Sequence, residues 1–122
     1  MKSRDTLIRL KKFQVDEKRR RVRQIELMTS EFTRMIGDLD REIANEEKRA
    51  GITDIHHFAY PTYARAAAQR RDNLKRSIAD LTAQHDEAKA ALEDAQAELQ
   101  KYESIDGREK SHERAVEAAA RA

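Results

Sequence analysis

The stretch His56–Arg65, HHFAYPTYAR, decides how this chain folds, because it separates two long helical patterns. Half of the six aromatic residues of the chain and its only proline fall within this stretch. Pro61 can occupy the first turn of a helix, where its missing N–H is no loss. Upstream, Gly51 can adopt the left-handed conformation that ends a helix. The sequence therefore predicts a turn at about residues 51–60.

The composition of the whole chain is typical of long helices or coiled coil. Of its 122 residues, 39% are charged and 5% are aromatic, so we expect one domain without a thick core or a deep pocket. The chain has no cysteine, which excludes disulfides and thiolate chemistry. No apolar run approaches the roughly 18–20 residues that span a bilayer, and the amino terminus lacks a signal-peptide core. We expect a soluble, cytoplasmic protein.

Seam residues recur every seven positions on both sides of the candidate turn. In the first segment the a positions are Ile8, Val15, Val22, Thr29, Ile36, Ile43 and Ala50, and the d positions are Lys11, Lys18, Ile25, Phe32, Leu39 and Glu46. In the second segment the a positions are Arg71, Ile78, His85, Leu92 and Leu99, and the d positions are Ala67, Leu74, Leu81, Ala88, Ala95 and Tyr102. These patterns predict helices at about residues 4–50 and 61–106. Residues 107–122, from Gly107 onward, are predicted to be a frayed helical tail.

Two helices of similar length joined by a short turn predict a hairpin. Folding the chain about residues 56–57 pairs positions whose numbers add to 113 or 114, so that Leu39 meets Leu74 and the seams stay in register. Thr29 would face His85, a polar pair that could fix the register. We therefore predict an all-α fold in which two long helices form an antiparallel coiled-coil hairpin, a single domain over residues 1–122.

Charge supports this pairing and affects how the run Lys18–Arg23, KRRRVR, is interpreted. Residues 8–34 carry nine Lys/Arg and four Asp/Glu, whereas residues 80–106 carry two and eight. The hairpin brings these complementary segments together. We favour a solvated basic face that the second helix partly neutralises. An acidic protein partner and a nucleic acid remain alternatives, the latter disfavoured because stacking aromatics are not interleaved with the basic residues.

The histidines and carboxylates give no chemical motif. His56 and His57 are adjacent, so on a helix they point roughly 100° apart and chelate one metal poorly. His85 belongs to the predicted seam and His112 to the predicted tail. A two-helix hairpin also offers no cleft that could shift the pKa of a catalytic acid. We expect neither an enzyme nor a bound cofactor or metal.

Binding surfaces are therefore the remaining candidates. Leu10 and Phe13 lie off the seam, beside the basic run. At the turn we expect exposed aromatic side chains, from Phe58, Tyr60 and Tyr63. A helical stripe continues from the turn along the second helix through Tyr63, Ala67, Arg70 and Leu74.

Two stretches carry a resemblance to a known family. The start SRDTLIRLKKFQVDEKRRRV (residues 3–22) and the segment HFAYPTYARAAAQRRDNLKRSI (residues 57–78) resemble the FliJ family of bacterial flagellar export proteins. The resemblance implies a role in flagellum biogenesis and motility, as a cytoplasmic component of the flagellar type III protein export apparatus. It also implies an antiparallel coiled coil similar to the central stalk of rotary ATP synthases.

The partners follow from the same resemblance. The free ends would insert into the ring of the export ATPase FliI, through Leu10, Phe13, Arg19, Arg20 and Arg21. A surface near the start of the second helix would engage the export gate protein FlhA, through Tyr63, Ala67, Arg70 and Leu74. The family is also implied to escort export chaperones and to associate peripherally with the inner membrane at the flagellar base, through protein partners.

Two other functions remain open at this point. A generic coiled-coil adaptor or secretion chaperone would bind along the seam edges. A basic nucleic-acid-binding helical hairpin is favoured by KRRRVR alone.

Overall fold

The chain forms two long helices. The computed structural model describes the backbone from Lys2 to Ala122 and the side chains from Ser3 onward. Helix α1 runs over Lys2–Ala50 and helix α2 over Thr62–Arg121. The helices pack against each other, and no strand occurs in the described part of the chain, so the predicted all-α hairpin is confirmed. Within the same residues, neither helix contains an apolar stretch that could cross a bilayer.

Helix α1 ends at the glycine that the sequence indicated. Gly51 has a φ of +72°, and its N–H donates to the Glu47 carbonyl at 2.8 Å. The N–H of Ile52 reaches the same carbonyl at 3.3 Å. A carbonyl at the end of the helix is thus satisfied by a left-handed residue that carries no Cβ.

Helix α2 begins one residue after the predicted start. Its first residue is Thr62, and the Pro61 carbonyl accepts a hydrogen bond from the Arg65 N–H at 3.1 Å. Pro61 therefore directly precedes the first helical residue, where its lack of an N–H leaves no bond unmade. A difference of one residue is within the usual uncertainty of helix ends.

The predicted second helix and the predicted helical tail after residue 106 form one continuous helix. The helix continues through Gly107 to Arg121. One glycine costs a helix only about 1 kcal/mol, and ion pairs hold the chain on both sides of it. Asp106 pairs with Lys110 one turn later at 3.0 Å, and Arg4 of α1 bridges to Asp106, Glu109 and Glu113.

Contacts divide the hairpin into two compact units. The turn unit comprises Gln24–Asp86. Its core cluster contains Leu39 and Ile43 from α1 with Ala67 and Ala68 from α2, and Leu74 packs against it. Leu39 and Leu74 thus belong to the same packed group, in agreement with the predicted register. Further buried residues of this unit are Ile25, Tyr60, Ala64 and Leu81.

The free-end unit comprises the residues up to Arg23 together with Glu87–Ala122. Lys11 donates to Glu98 at 2.8 Å and lies over the Tyr102 ring, 5.5 Å from its centroid. The numbers of Lys11 and Tyr102 add to 113, in agreement with the predicted register. Val15 is the buried apolar residue of this unit, so most of the unit's seam is half-exposed.

Burial follows the heptads closely. Every predicted seam position of α2 is buried or half-buried, and in α1 only Lys18 and Ala50 of the predicted set are exposed. The predicted Thr29–His85 pair forms no hydrogen bond among those seen in the described residues. His85 Nε2 instead lies 3.2 Å from a carboxylate oxygen of Glu26, one turn before Thr29. A long acidic side chain at the helix edge reaches the imidazole and offers a charged acceptor, which a hydroxyl does not.

Candidate protein-docking surfaces

A shallow groove lies between the helices in the turn unit. Its volume is about 320 Å³. From α1 it is lined by Met35, Asp38, Leu39 and Glu42. From α2 it is lined by Tyr63, Ala66, Ala67 and Arg70. We call these eight residues the tip groove.

Small residues create the tip groove. Ala66 is exposed and Ala67 is only 5% exposed, so two alanines leave space where most helical residues would project a longer side chain. The thioether of Met35 and the aromatic ring of Tyr63 line the same space. An apolar depression with a few polar groups at its edge can receive a side chain from a partner protein.

Polar groups border the groove with both signs of charge. Tyr63 donates its hydroxyl hydrogen to Glu42 at 2.9 Å. The hydrogen bond to this carboxylate and its negative charge raise the pKa of Tyr63 above its ordinary value. Asp38 is ion-paired with Arg41. Arg70 is exposed and has no ion pair among the described residues, so it is the free cation at this edge.

The structure brings together three of the four residues that were predicted to contact the export gate. Tyr63, Ala67 and Arg70 all line the tip groove. Tyr63 is 57% exposed and Arg70 is exposed, whereas Ala67 forms part of the core and presents little surface. Leu74 is half-buried against the core cluster and does not line the groove. The predicted stripe thus follows the groove for its first two turns and then enters the hairpin core.

The aromatic residues of the turn do not share one surface. Phe58 is 94% exposed and stacks on the His57 ring with 4.7 Å between centroids. Tyr60, expected at the surface, is buried, and its hydroxyl donates to Glu47 at 3.1 Å. Burial is the largest cause that raises the pKa of Tyr60, and the hydrogen bond to Glu47 raises it further. The hydrogen bond from Tyr60 to Glu47 therefore links the turn to α1.

The predicted ATPase-contacting residues are exposed but do not form one face. Leu10 and Phe13 are about half-exposed, and Arg19, Arg20 and Arg21 are exposed. Arg19 lies nine positions after Leu10, and at 3.6 residues per turn this places them on opposite sides of α1. A flat partner could not contact the whole set, whereas a partner that surrounds α1 on its solvent side could.

For three cations of the basic run, the predicted neutralisation is not seen as ion pairs in the described part of the chain. Within residues 18–23, Arg19 pairs with Asp16 of its own helix at 3.5 Å. Lys18, Arg20 and Arg23 have no carboxylate within ion-pair distance in the described part of the chain. These three exposed cations thus form a basic surface that ion pairs among the described residues do not neutralise.

Two features of these surfaces were missed by the sequence analysis. The heptads could have been extended by one step, since Ala64 and Asp106 continue the a positions of the second segment and Arg4 continues the d positions of the first. Asp106 is buried and forms an ion pair with Arg4, with 2.6 Å between Arg4 Nε and Asp106 Oδ1. The inward position of Tyr60 had no sequence signal, because a turn residue has no periodicity.

Among the described residues, no group of three or more His, Asp and Glu side chains is placed so that it could hold a metal ion. Comparison of the chain with protein-family models, with curated proteins and with solved structures finds no match.

Proposed function

We propose that this chain is a protein-binding hairpin of the flagellar type III export apparatus, a member of the FliJ family without catalytic activity of its own. In this proposal it works in the cytoplasm and reaches the inner membrane at the flagellar base through its partners. The free-end unit engages the ring of the export ATPase, the tip groove engages the export gate protein, and export chaperones are escorted.

One observation carries the proposal. The tip groove gathers Tyr63, Ala67 and Arg70, three residues of the helical stripe that the family resemblance linked to the gate contact. An exposed tyrosine beside an unpaired arginine is a common combination in the centres of protein interfaces. The alanines beneath leave room for an apolar side chain from the partner.

Filling the groove gives a direct test. Ala66→Glu places a long charged side chain in the groove without touching the core, because Ala66 is exposed and glutamate is a good helix former. Ala79→Glu is the matched control, an exposed alanine of the same helix outside the groove. In calorimetric titration with the cytoplasmic domain of the gate protein, we expect Ala66→Glu to weaken binding at least tenfold. Equal affinities for the two variants would exclude the groove as the gate contact.

The ATPase contact has a separate test in the free-end unit. Leu10 and Phe13 project apolar side chains to solvent, which a surrounding ring could cover. Changing both to Ser should weaken binding to the ATPase hexamer while circular dichroism shows unchanged helix content. Leu27→Ser is the control, since Leu27 is exposed but lies outside the proposed contact. Undiminished ATPase binding by the Leu10/Phe13 variant would remove these residues from the interface.

The same titrations separate the proposal from a generic coiled-coil adaptor. An adaptor that binds along the seam edges would not recognise the gate domain or the ATPase hexamer, and it would be indifferent to Ala66→Glu. Binding of neither protein by the parent chain would leave the adaptor as the better account.

A further inference from the structure

Four cations lie on one side of α1 in the free-end unit. At about 100° per residue, Arg9, Lys12, Arg20 and Arg23 fall within about 80° of one another around the helix. All four side chains are exposed. Phe13 lies at the edge of this face, one turn after Arg9. We call these five residues the basic stripe. From Arg9 to Arg23 it extends about 21 Å along the helix.

Intramolecular ion pairs do not neutralise the stripe. None of the four cations has a carboxylate within ion-pair distance among the described residues, whereas neighbouring Lys11 is paired with Glu98. Asp16 lies on the same side of α1 but pairs with Arg19 at 3.5 Å, so these two charges offset each other. The stripe therefore presents a net positive charge to solvent, and at its first end Arg9 and Lys12 also border a depression lined by Glu103 and Asp106 of α2.

An apolar side chain accompanies these cations. Phe13 is 55% exposed, and it belongs neither to the seam nor to a core cluster. Folding alone therefore does not account for an aromatic ring among arginines and a lysine. Cations in a line with an apolar ring at their edge are the combination by which surface helices bind the interface of an anionic bilayer.

We propose that the basic stripe binds an anionic phospholipid surface directly, through the headgroup phosphates, with Phe13 entering the interfacial region. A stripe of this kind on a convex helix face can contact a flat array of phosphates along its full length. Single-stranded nucleic acid is less favoured, because its binding sites use several stacking aromatics and this stripe has one. The contact would be additional to any attachment through protein partners.

The expected strength follows from the number of cations. Each Lys or Arg near an anionic membrane surface contributes a factor of about five in partitioning, so removing four should lower it at least a hundredfold. Binding should also fall as salt is raised, because screening weakens exposed charges at these distances. Loss of the Phe13 ring should lower partitioning by a smaller factor.

Vesicle flotation with the full chain, and with no ATPase or gate protein present, tests the proposal independently of the proposed function. The vesicles are phosphatidylglycerol and phosphatidylcholine in equal parts, with phosphatidylcholine alone as the neutral reference. The stripe variant carries Arg9→Gln, Lys12→Gln, Arg20→Gln and Arg23→Gln. The control variant carries Arg34→Gln, Lys48→Gln, Lys75→Gln and Arg76→Gln, which remove the same charge from exposed positions of the turn unit.

We expect the parent and the control variant to float with anionic vesicles and not with neutral ones, and the stripe variant to remain in solution with its helix content intact. The proposal is overturned if the parent does not bind anionic vesicles, or if the two variants lose binding equally, which would show a net-charge effect. It is also overturned if polyuridylate at an equal phosphate concentration displaces the parent completely, since the stripe would then prefer RNA.

Discussion

Gly51 and Gly107 are the same residue type in opposite structural situations. Gly51 sits at φ +72° after the last turn of α1, a conformation in which an L-residue suffers a clash of its Cβ with the backbone. Gly107 is helical, and a Cβ built there would meet nothing within 4 Å. The first glycine is required by the turn, whereas the second only weakens α2.

Alanine at these two positions should therefore change stability in opposite directions. Gly51→Ala should lower the free energy of unfolding by about 1–2 kcal/mol, the cost of a left-handed residue with a side chain. Gly107→Ala should raise it by up to about 1 kcal/mol, from better helix propensity. Urea denaturation followed by circular dichroism measures both. Changes of the same sign would contradict the structure of the turn or of α2.

At the scale of the elements, the register of α1 places its apolar residues on two sides. Ile25 is only 1% exposed in the turn unit, while Leu27, two residues later, is 68% exposed. Two residues correspond to about 200° around a helix, so one side chain points to α2 and the other to solvent. A shift of the register by two residues would exchange them.

Truncating these two side chains tests the register of α1. Ile25→Ala should lower the free energy of unfolding by about 2–4 kcal/mol, because it leaves a cavity against α2. Leu27→Ala removes a similar volume from an exposed side chain and should change stability by less than about 0.5 kcal/mol. Thermal or urea denaturation of the two variants and the parent chain measures both changes in stability. Similar losses for both variants would show that α1 is rotated relative to this register.

The first turns of α1 are held to α2 by Arg4. Asp106 receives a hydrogen bond from Lys110 and the positive charge of Arg4, and these hold the pKa of Asp106 below its ordinary value of 3.8. A carboxylate whose folded-state pKa is depressed stabilises the fold above its unfolded-state pKa. That contribution disappears as the pH falls through the folded-state value.

Asp106→Asn should therefore loosen the free ends in a pH-dependent way. At neutral pH, amide hydrogen exchange in the first three turns of α1 should be faster in the variant than in the parent chain. The difference should shrink as the pH falls through the depressed pKa of Asp106, below its ordinary value of 3.8, because Asp106 of the parent is then protonated too. Exchange should remain unchanged around Ile43, in the turn unit. A difference that persists at acid pH would mean that the ion pair does not hold these turns.

For the molecule as a whole, the sequence was sufficient for the helices and their facing sides, because seven-residue periodicity predicts burial directly. Ile25, Leu39 and Leu81 were all predicted in the seam and are all buried. Residues 107–122 were predicted as a frayed helical tail, and their continuity with α2 was not predicted because glycine was given more weight than the ion pairs across it. The inward position of Tyr60 depends on Glu47, a contact between a loop and a helix that no local pattern encodes.

The docking surfaces were predictable only in part. The stripe through Tyr63, Ala67 and Arg70 follows from helical spacing, so these three residues could be named in advance. The groove itself could not, because its other side consists of α1 residues such as Met35 and Glu42, which lie beside Tyr63 only after folding. Leu74 lies on the same predicted stripe, but it packs against the core cluster that contains Leu39.

We propose that Tyr63 contributes to partner binding rather than to the stability of the fold. Its ring is more than half exposed, and its hydroxyl bonds to Glu42 at the surface. Tyr63→Ala should therefore leave the melting temperature nearly unchanged, whereas Tyr60→Ala, which empties a buried site, should lower it clearly.

The most direct measurement is the affinity of the Tyr63→Ala chain for the cytoplasmic domain of the export gate protein, by calorimetric titration beside the parent chain. An interface anchor of this kind contributes about 2 kcal/mol or more, so we expect affinity to fall at least about thirtyfold. Tyr63→Phe, which keeps the ring, should retain most of it. Parent-like affinity of Tyr63→Ala, together with a melting temperature several degrees lower, would contradict the account and leave Tyr63 as a residue of the turn alone.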